Sequence, residues 1–119
     1  MIHIGCILKV HDNTGISKIK VIGVLKRQKR IPKVGDVVVA SIQKTLSPVY
    51  KKSSIIMAMI IKTKKALIRK DGSTLSYLEN ASIIVDKTGS PKGTHIFGPV
   101  PIEIKEKNKK IATLTNSFI

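Results

Sequence analysis

Residues 2–25, IHIGCILKVHDNTGISKIKVIGVL, hold two alternating runs on either side of a turn. Ile2, Ile4, Cys6, Leu8 and Val10 take every second position, between His3, Gly5, Lys9 and His11, and Ile7 breaks the pattern. Period two places the first set on one face of a strand and predicts that this face lies in a core. Asp12-Asn13-Thr14-Gly15 reads as a turn, because Asn and Gly accept left-handed backbone angles. Lys18 and Lys20 then alternate with Ile19 and Val21 in a second strand that runs to about Leu25. The two strands pair as a hairpin.

The same texture continues outward. Val34-Gly35-Asp36 is a second turn, residues 37–42 a third strand, and Ser47-Pro48 its end. Lys51-Lys52-Ser53-Ser54 is a polar tip. Residues 55–61 form a short continuous apolar run, which by length and Ile content predicts a strand buried on both faces. Asp71-Gly72 is a hairpin signal. Short strands are expected over residues 74–78 and Ala81–Val85, on either side of Glu79-Asn80, and a loop over residues 86–93. Residues 102–110 are compatible with a short helix that Pro101 would permit to start. Ile111, Leu114 and Phe118 are expected to pin the tail to the rest. Short strands, frequent turns and hardly any helix predict a mainly β fold, a small closed barrel that leaves no sticky sheet edge.

The 119 residues show no break in composition and read as one domain, 1–119. Lys and Arg number 22 against 7 Asp and Glu, a formal net charge of +15. A field of that size attracts polyanions, with nucleic acid as the leading partner. Only Tyr50, Tyr77, Phe97 and Phe118 are aromatic, few for a protein that stacks unpaired bases. Contacts to phosphates and to the shape of folded RNA fit better. All but Arg27, Arg30 and Arg69 of the basic residues are lysine, a mobile point charge rather than a bidentate reader. The positive charge gathers in Lys26, Arg27, Lys29 and Arg30, a basic loop closed by Pro32. It gathers again in Lys62, Lys64, Lys65, Arg69 and Lys70, with Lys51 and Lys52 at the polar tip. These residues are read as the RNA-binding set.

Catalytic and metal chemistry find no support. Asp12, Asp36 and Asp71 sit in turns, where Asp caps the backbone. Ser90 and His95 are near in sequence, but no nucleophile elbow surrounds the serine. Gly89, Gly93 and Gly98 lack the spacing of a phosphate-cradling loop. Cys6 has no disulfide partner, and with His3, His11 and His95 it lacks zinc-finger spacing. It reads as a small buried hydrophobe of a reducing compartment. No cofactor, metal or small-molecule substrate is expected. The apolar run at 55–61 is far too short to cross a bilayer, and no amphipathic basic helix suggests a membrane surface.

One set of motifs goes further. Asp12-Asn13-x-Gly15, Val34-Gly35-Asp36, Lys62-Thr63-Lys64-Lys65, Arg69-x-Asp71-Gly72, Tyr77-x-x-Asn80-Ala81 and Gly93-Thr94-x-Ile96-Phe97-Gly98-Pro99-Val100 occur in that order. In this the chain resembles the universal large-subunit ribosomal protein fourteen family, from Ile2 to Leu114. The resemblance implies a five-stranded β-barrel with a protruding β-hairpin and a short, partly helical C-terminal appendage. It implies a structural constituent of the large ribosomal subunit that binds large-subunit rRNA. It also implies contact with a neighbouring large-subunit protein and bridges to small-subunit rRNA. By motif position, Lys62, Lys64, Lys65 and Arg69 should face rRNA. Thr94, His95 and Lys110 should lie on a face turned to the small subunit, where in bacteria and organelles a ribosome-silencing factor docks.

The chain departs from the family pattern at several positions. Ser17 and Lys18 stand where the family often has arginines, and Lys62 where it usually has Arg, which keeps the charge but loses the bidentate fork. His95 replaces a usual Arg, so an imidazole takes the place of a permanent charge. Met59 replaces a branched aliphatic residue, an exchange that Met's flexibility tolerates. Lysine and isoleucine are favoured over arginine and leucine, as A+T-rich coding produces, and no targeting extension is read before the first strand. Together these point to the mitochondrial matrix, within the mitochondrial ribosome, with a bacterial cytoplasm or plastid as the alternative. A free RNA-binding translation factor on an OB-like or SH3-like barrel is the competing reading; it would carry stacking aromatics, which are scarce here. A hydrolase with Asp or His on a barrel rim would need groups converging on a pocket.

Overall fold

The computed structural model describes residues 4–24, 34–46, 48–64, 67–98, 100–102, 104 and 109–115. Within them, β1 (Ile7–Val10), β2 (Ile16–Val24), β3 (Val37–Thr45), β4 (Ile55–Lys62) and β7 (Ala81–Val85) close into a barrel in the order β1-β2-β3-β4-β7. β5 (Leu67–Ile68) and β6 (Thr74–Leu75) form a separate two-stranded hairpin. All barrel pairs are antiparallel except the closing one, where β1 meets β7 in parallel with Lys9 opposite Ala81 and Val10 opposite Ser82.

Alternation builds the interior. Leu8, Val10, Ile19, Val21, Val38, Ala40, Ile42, Ala58, Ile60 and Ile84 point inward and pack as one cluster, while Lys18 and Lys20 remain exposed between their buried neighbours. A second cluster covers the outside of β4 and β7: Met59, Ile61, Ile83 and Val85 are met there by Val34, Ile96, Val100, Ile104 and Ile111. Two cores, one on each side of the same two strands, explain why Ala58 to Lys62 and all of β7 are buried on both faces. Each buried Ile, Val or Met among them contributes about 1.5–3 kcal/mol by leaving water. Ile111 and Leu114 hold the C-terminal segment down as expected, whereas Phe118 lies outside the described residues.

Several sequence expectations change. Ile4 is exposed at a turn, so the inward face of the first strand begins at Leu8, with Cys6 only partly buried against the core. β3 runs on to Thr45 because β2 continues to pair with it through two bulges. Ile55 is 69% exposed, since the second core reaches along β4 only as far as Met57, which is half-buried against it. The strand expected over residues 74–78 stops at Leu75: the Tyr77 amide donates to the Thr63 carbonyl instead of a sheet partner (3.1 Å), and Leu78 is 97% exposed. Of the helix expected over residues 102–110, Ile102 and Ile104 are helical, several residues lie outside the described ones, and a helical turn spans Lys109–Ala112. No helix among the described residues is long and apolar enough to cross a membrane.

Candidate nucleic-acid interface

The basic positions are presented by turns that the backbone and short polar side chains hold rigid. In the β5–β6 hairpin, Gly72 takes φ +87°, which permits the tight reversal. The Asp71 carboxylate accepts from the Ser73 amide (2.9 Å) and hydroxyl (2.6 Å), and these bonds hold it below the ordinary carboxylate range. The Arg69 amide donates to the Ser73 carbonyl (2.9 Å), so Arg69 and Lys70 ride on a fixed turn. Lys64 is exposed, and its amide is anchored by the Asn80 side-chain carbonyl (2.9 Å). At the β3–β4 loop, the Ser53 amide donates to the Ile42 carbonyl (2.8 Å) and the Ile42 amide to the Ser54 carbonyl (3.0 Å). This leaves Lys51 and Lys52 exposed at the tip. Lys26, Arg27, Lys29, Arg30 and Lys65 lie outside the described residues.

Lys62 does not belong with these. It is 6% exposed, and its ammonium points into the protein. It lies 3.0 Å from His11 Nδ1, donates to the Phe97 carbonyl (3.2 Å) and sits 5.7 Å from the centre of the Tyr77 ring. On the far side of the imidazole, His11 Nε2 meets Glu79 at 3.2 Å, and Glu79 also pairs with Lys9 at 2.7 Å. Burial and then the Lys62 charge pull the His11 imidazole below its ordinary range, and Glu79 opposes them without prevailing. Burial likewise lowers Lys62, with Glu79 opposing. The consistent arrangement is a neutral imidazole that accepts from Lys62 at Nδ1 and donates to Glu79 from Nε2. Lys62 is therefore a lysine that ties β4 to the 97–98 segment. That burial sets Lys62 apart from the exposed lysines with which the sequence groups it.

A second surface is assembled by Asn13. Its side-chain carbonyl accepts from the Thr94 amide (2.8 Å) and the His95 amide (3.2 Å), and its amide donates to the Thr94 hydroxyl (2.7 Å). A Cβ on Gly93 would come within 2.8 Å of that Asn13 oxygen, so only glycine allows this approach. Thr94 and His95 are exposed, and His95 packs edge-on against Phe97 with ring centres 5.3 Å apart. Lys110 is held by another route, donating to the Ser90 hydroxyl (3.2 Å). The Ile96 amide donates to the Leu114 carbonyl (3.2 Å), which joins the two segments.

Sequence reading missed Asn13 and Gly93 as organisers of this face and His11 and Glu79 as partners of Lys62. The Asn13 and Gly93 motifs were visible, but they are about eighty positions apart, and nothing local signals their meeting. Among the described residues no group of three or more His, Cys, Asp or Glu could hold a metal ion. Asp71 and Asp86 cap turns instead, Asp86 accepting from Thr88 and Ser90 in the same manner as Asp71 accepts from Ser73. Compared with known protein families, the whole chain, residues 1–119, matches the family described as ribosomal protein L14p/L23e.

Proposed function

The chain belongs to the ribosomal protein L14p/L23e family and is a structural protein of the large ribosomal subunit; from that premise we propose that it binds large-subunit rRNA through its basic turns and bridges to the small subunit. Lys51, Lys52, Lys64, Arg69 and Lys70 are the described rRNA contacts in this reading, with Lys26, Arg27, Lys29, Arg30 and Lys65 completing the set. What supports it most is the way Lys64, Arg69 and Lys70 are carried on backbone fixed by Asn80, Asp71 and Gly72. The backbone beneath them is already held by hydrogen bonds, so less of the phosphate attraction is lost to entropy on binding. Thr94, His95 and Lys110 form the face offered to small-subunit rRNA, and to a silencing factor where one exists. A neighbouring large-subunit protein is a further partner. The mitochondrial ribosome is the proposed location, with a bacterial or plastid ribosome as the alternative.

The test is sedimentation of a tagged copy on a sucrose gradient of native lysate. The protein should travel with large subunits and whole ribosomes. A Lys64→Glu, Arg69→Glu variant should fall to the top of the gradient. A Thr94→Ala, His95→Ala variant should stay in large subunits while whole ribosomes decline. Incorporation of the first variant at the wild-type level would remove the hairpin from the rRNA interface. Failure of the second to enter large subunits would put the Thr94 face inside the subunit rather than on its joining surface.

A further inference from the structure

We propose that Lys62 and His11, held from behind by Glu79, are positioning residues for the Thr94–His95 face, and that protonation of His11 releases Phe97, against which that face leans. This role goes beyond the one given to the face above, and it rests on that reading only where subunit joining is measured.

The face is held at three places along one short segment. Asn13 binds the Thr94 and His95 amides. Ile96 is buried in the second core, and its amide donates to the Leu114 carbonyl (3.2 Å). Phe97 has no such seat, because it is 51% exposed. Both of its main-chain polar groups are bound instead by the buried cluster. The Phe97 amide donates to the His11 carbonyl (2.7 Å), and the Phe97 carbonyl accepts from Lys62 Nζ (3.2 Å). Gly98 follows at φ +79°, and a Cβ there would come within 2.9 Å of the same ammonium. The chain is thus laid close over Lys62 in a conformation that glycine accepts. The Phe97 ring in turn seats His95, with ring centres 5.3 Å apart and 66° between the planes. A displacement of Lys62 therefore passes to Phe97 and then to His95.

Lys62 is placed by a hydrogen-bonded chain rather than by an ion pair. Among the described residues no carboxylate lies within ion-pair distance of its ammonium, and Glu79 acts on it through the imidazole. That chain works in one protonation state. His11 accepts from Lys62 at Nδ1 only when its proton is on Nε2, and Nε2 faces Glu79 at 3.2 Å. A proton added at Nδ1 removes the acceptor and sets two cations 3.0 Å apart. Glu79 then draws the imidazolium toward itself, and Lys62 is repelled from its place beside the Phe97 carbonyl.

The groups around the pair are few. Lys9, on the same strand as His11, is paired with Glu79, which comes from the segment before β7. Asp12 is occupied by the Ile84 and Thr14 amides. Lys62 comes from β4, with the Tyr77 ring 5.7 Å from its Nζ. From the 94–98 segment the Phe97 main chain reaches the pair, and His95 stands behind the Phe97 ring. Burial and the Lys62 charge favour the neutral imidazole, so the chain is intact at neutral pH and breaks in acid, below the ordinary imidazole value of about 6.5.

The experiment follows the full chain by NMR from about pH 7.5 to about pH 5. The Gly98 amide, joined to the Phe97 carbonyl, should shift with the same midpoint as the His11 ring. Cross-peaks between the His95 and Phe97 rings should be lost, while those among Ile19, Ile42 and Ile60 in the barrel persist, which unfolding cannot imitate. His11→Gln keeps an acceptor for Lys62 and never ionises, so it should abolish the Gly98 step. Lys62→Met should show the acid position of Gly98 at every pH, and His95→Gln should leave the step in place. A step that survives in His11→Gln, or barrel cross-peaks lost together with those of Phe97, would overturn the proposal. Joining is read separately, by light scattering of small subunits mixed with large subunits that carry wild type or His11→Gln. Wild-type subunits should join less readily than His11→Gln subunits at the acid end. If the Gly98 step appears and the two join alike, His11 still positions Phe97, and it is the joining role of the Thr94 face that fails.

Discussion

Replacing Asp12 by Ala should open the seam at which the barrel closes. β1 and β7 pair over only two positions, Lys9 with Ala81 and Val10 with Ser82. The main chain adds the Lys9 amide to the Asn80 carbonyl (3.2 Å) and the His11 amide to the Ser82 carbonyl (3.0 Å). Asp12 extends this short seam with its side chain. One carboxylate oxygen accepts from the Ile84 amide at 2.9 Å, and the other accepts from the Thr14 amide (3.1 Å) and hydroxyl (2.6 Å), fixing the turn into β2. Ile84 is fully buried, so its amide has no water to turn to. An orphaned buried N–H costs about 1–3 kcal/mol, and loss of the charge-assisted turn bonds adds about 1 kcal/mol. The total, about 2–4 kcal/mol, corresponds to a fall in melting temperature on the order of 10 °C for a domain of this size. Thermal denaturation followed by circular dichroism measures it. Asp71→Ala is the control, because Asp71 makes the same pair of bonds to Ser73 but reaches no second strand. It should melt close to the wild type. Equal losses in the two variants would mean that the turn, not the seam bond to Ile84, carries the effect.

Two further outcomes concern the His11 cluster. The folded-state value of His11 is depressed, so its neutral form is favoured by folding; stability should be full above the ordinary imidazole value of about 6.5 and decline as pH falls through it toward the lower folded value. His11→Gln should flatten that part of a melting-temperature series against pH, and an unchanged slope would place the titration on other groups. Lys62→Met should leave the salt dependence of RNA binding unchanged but cost about 1–3 kcal/mol of stability, because His11 Nδ1 and the Phe97 carbonyl lose their donor. A salt slope reduced by about one would show that Lys62 reaches phosphate after all.

Where one period governed one face, the sequence was a sufficient guide. Ile19 and Val21 are inside and Lys18 and Lys20 outside, as their alternation requires, and the Asp12 to Gly15 turn delivers the chain into the second strand with Gly15 at φ +91°. Residues 55–61 were legible as doubly buried only in part. Burial of the second face depends on Ile96, Val100, Ile104 and Ile111 arriving from the far end of the chain, and they do not reach Ile55. The site was harder to read for the same reason. A run of lysines looks alike whether its members are solvated or not, and Lys62 is withdrawn by His11, fifty-one positions away. Asn13 organises Thr94 and His95 across a comparable distance.

In the free protein the like charges behind a net +15 repel one another, and the chain relieves that repulsion unevenly. Around the seam and the C-terminal segment the cations have internal partners: Lys62 at His11 and Phe97, Lys9 at Glu79, Lys110 at Ser90 and Lys92 over the Tyr50 ring. Along β2, β3 and the loop beyond, the exposed side chains of Lys18, Lys20, Lys44, Lys51 and Lys52 have no such partner among the described residues, and the Leu46 amide joins this loop to the Gly15 carbonyl (2.8 Å). Among the described residues the unrelieved repulsion falls on this stretch and on the exposed Lys64, Lys70 and Lys87. Each lysine there stabilises the free protein less than a neutral residue would, and each gains most when a phosphate approaches. A basic surface of this kind is set by the strand register and by where the few carboxylates lie, and only secondarily by where lysines run together in the sequence.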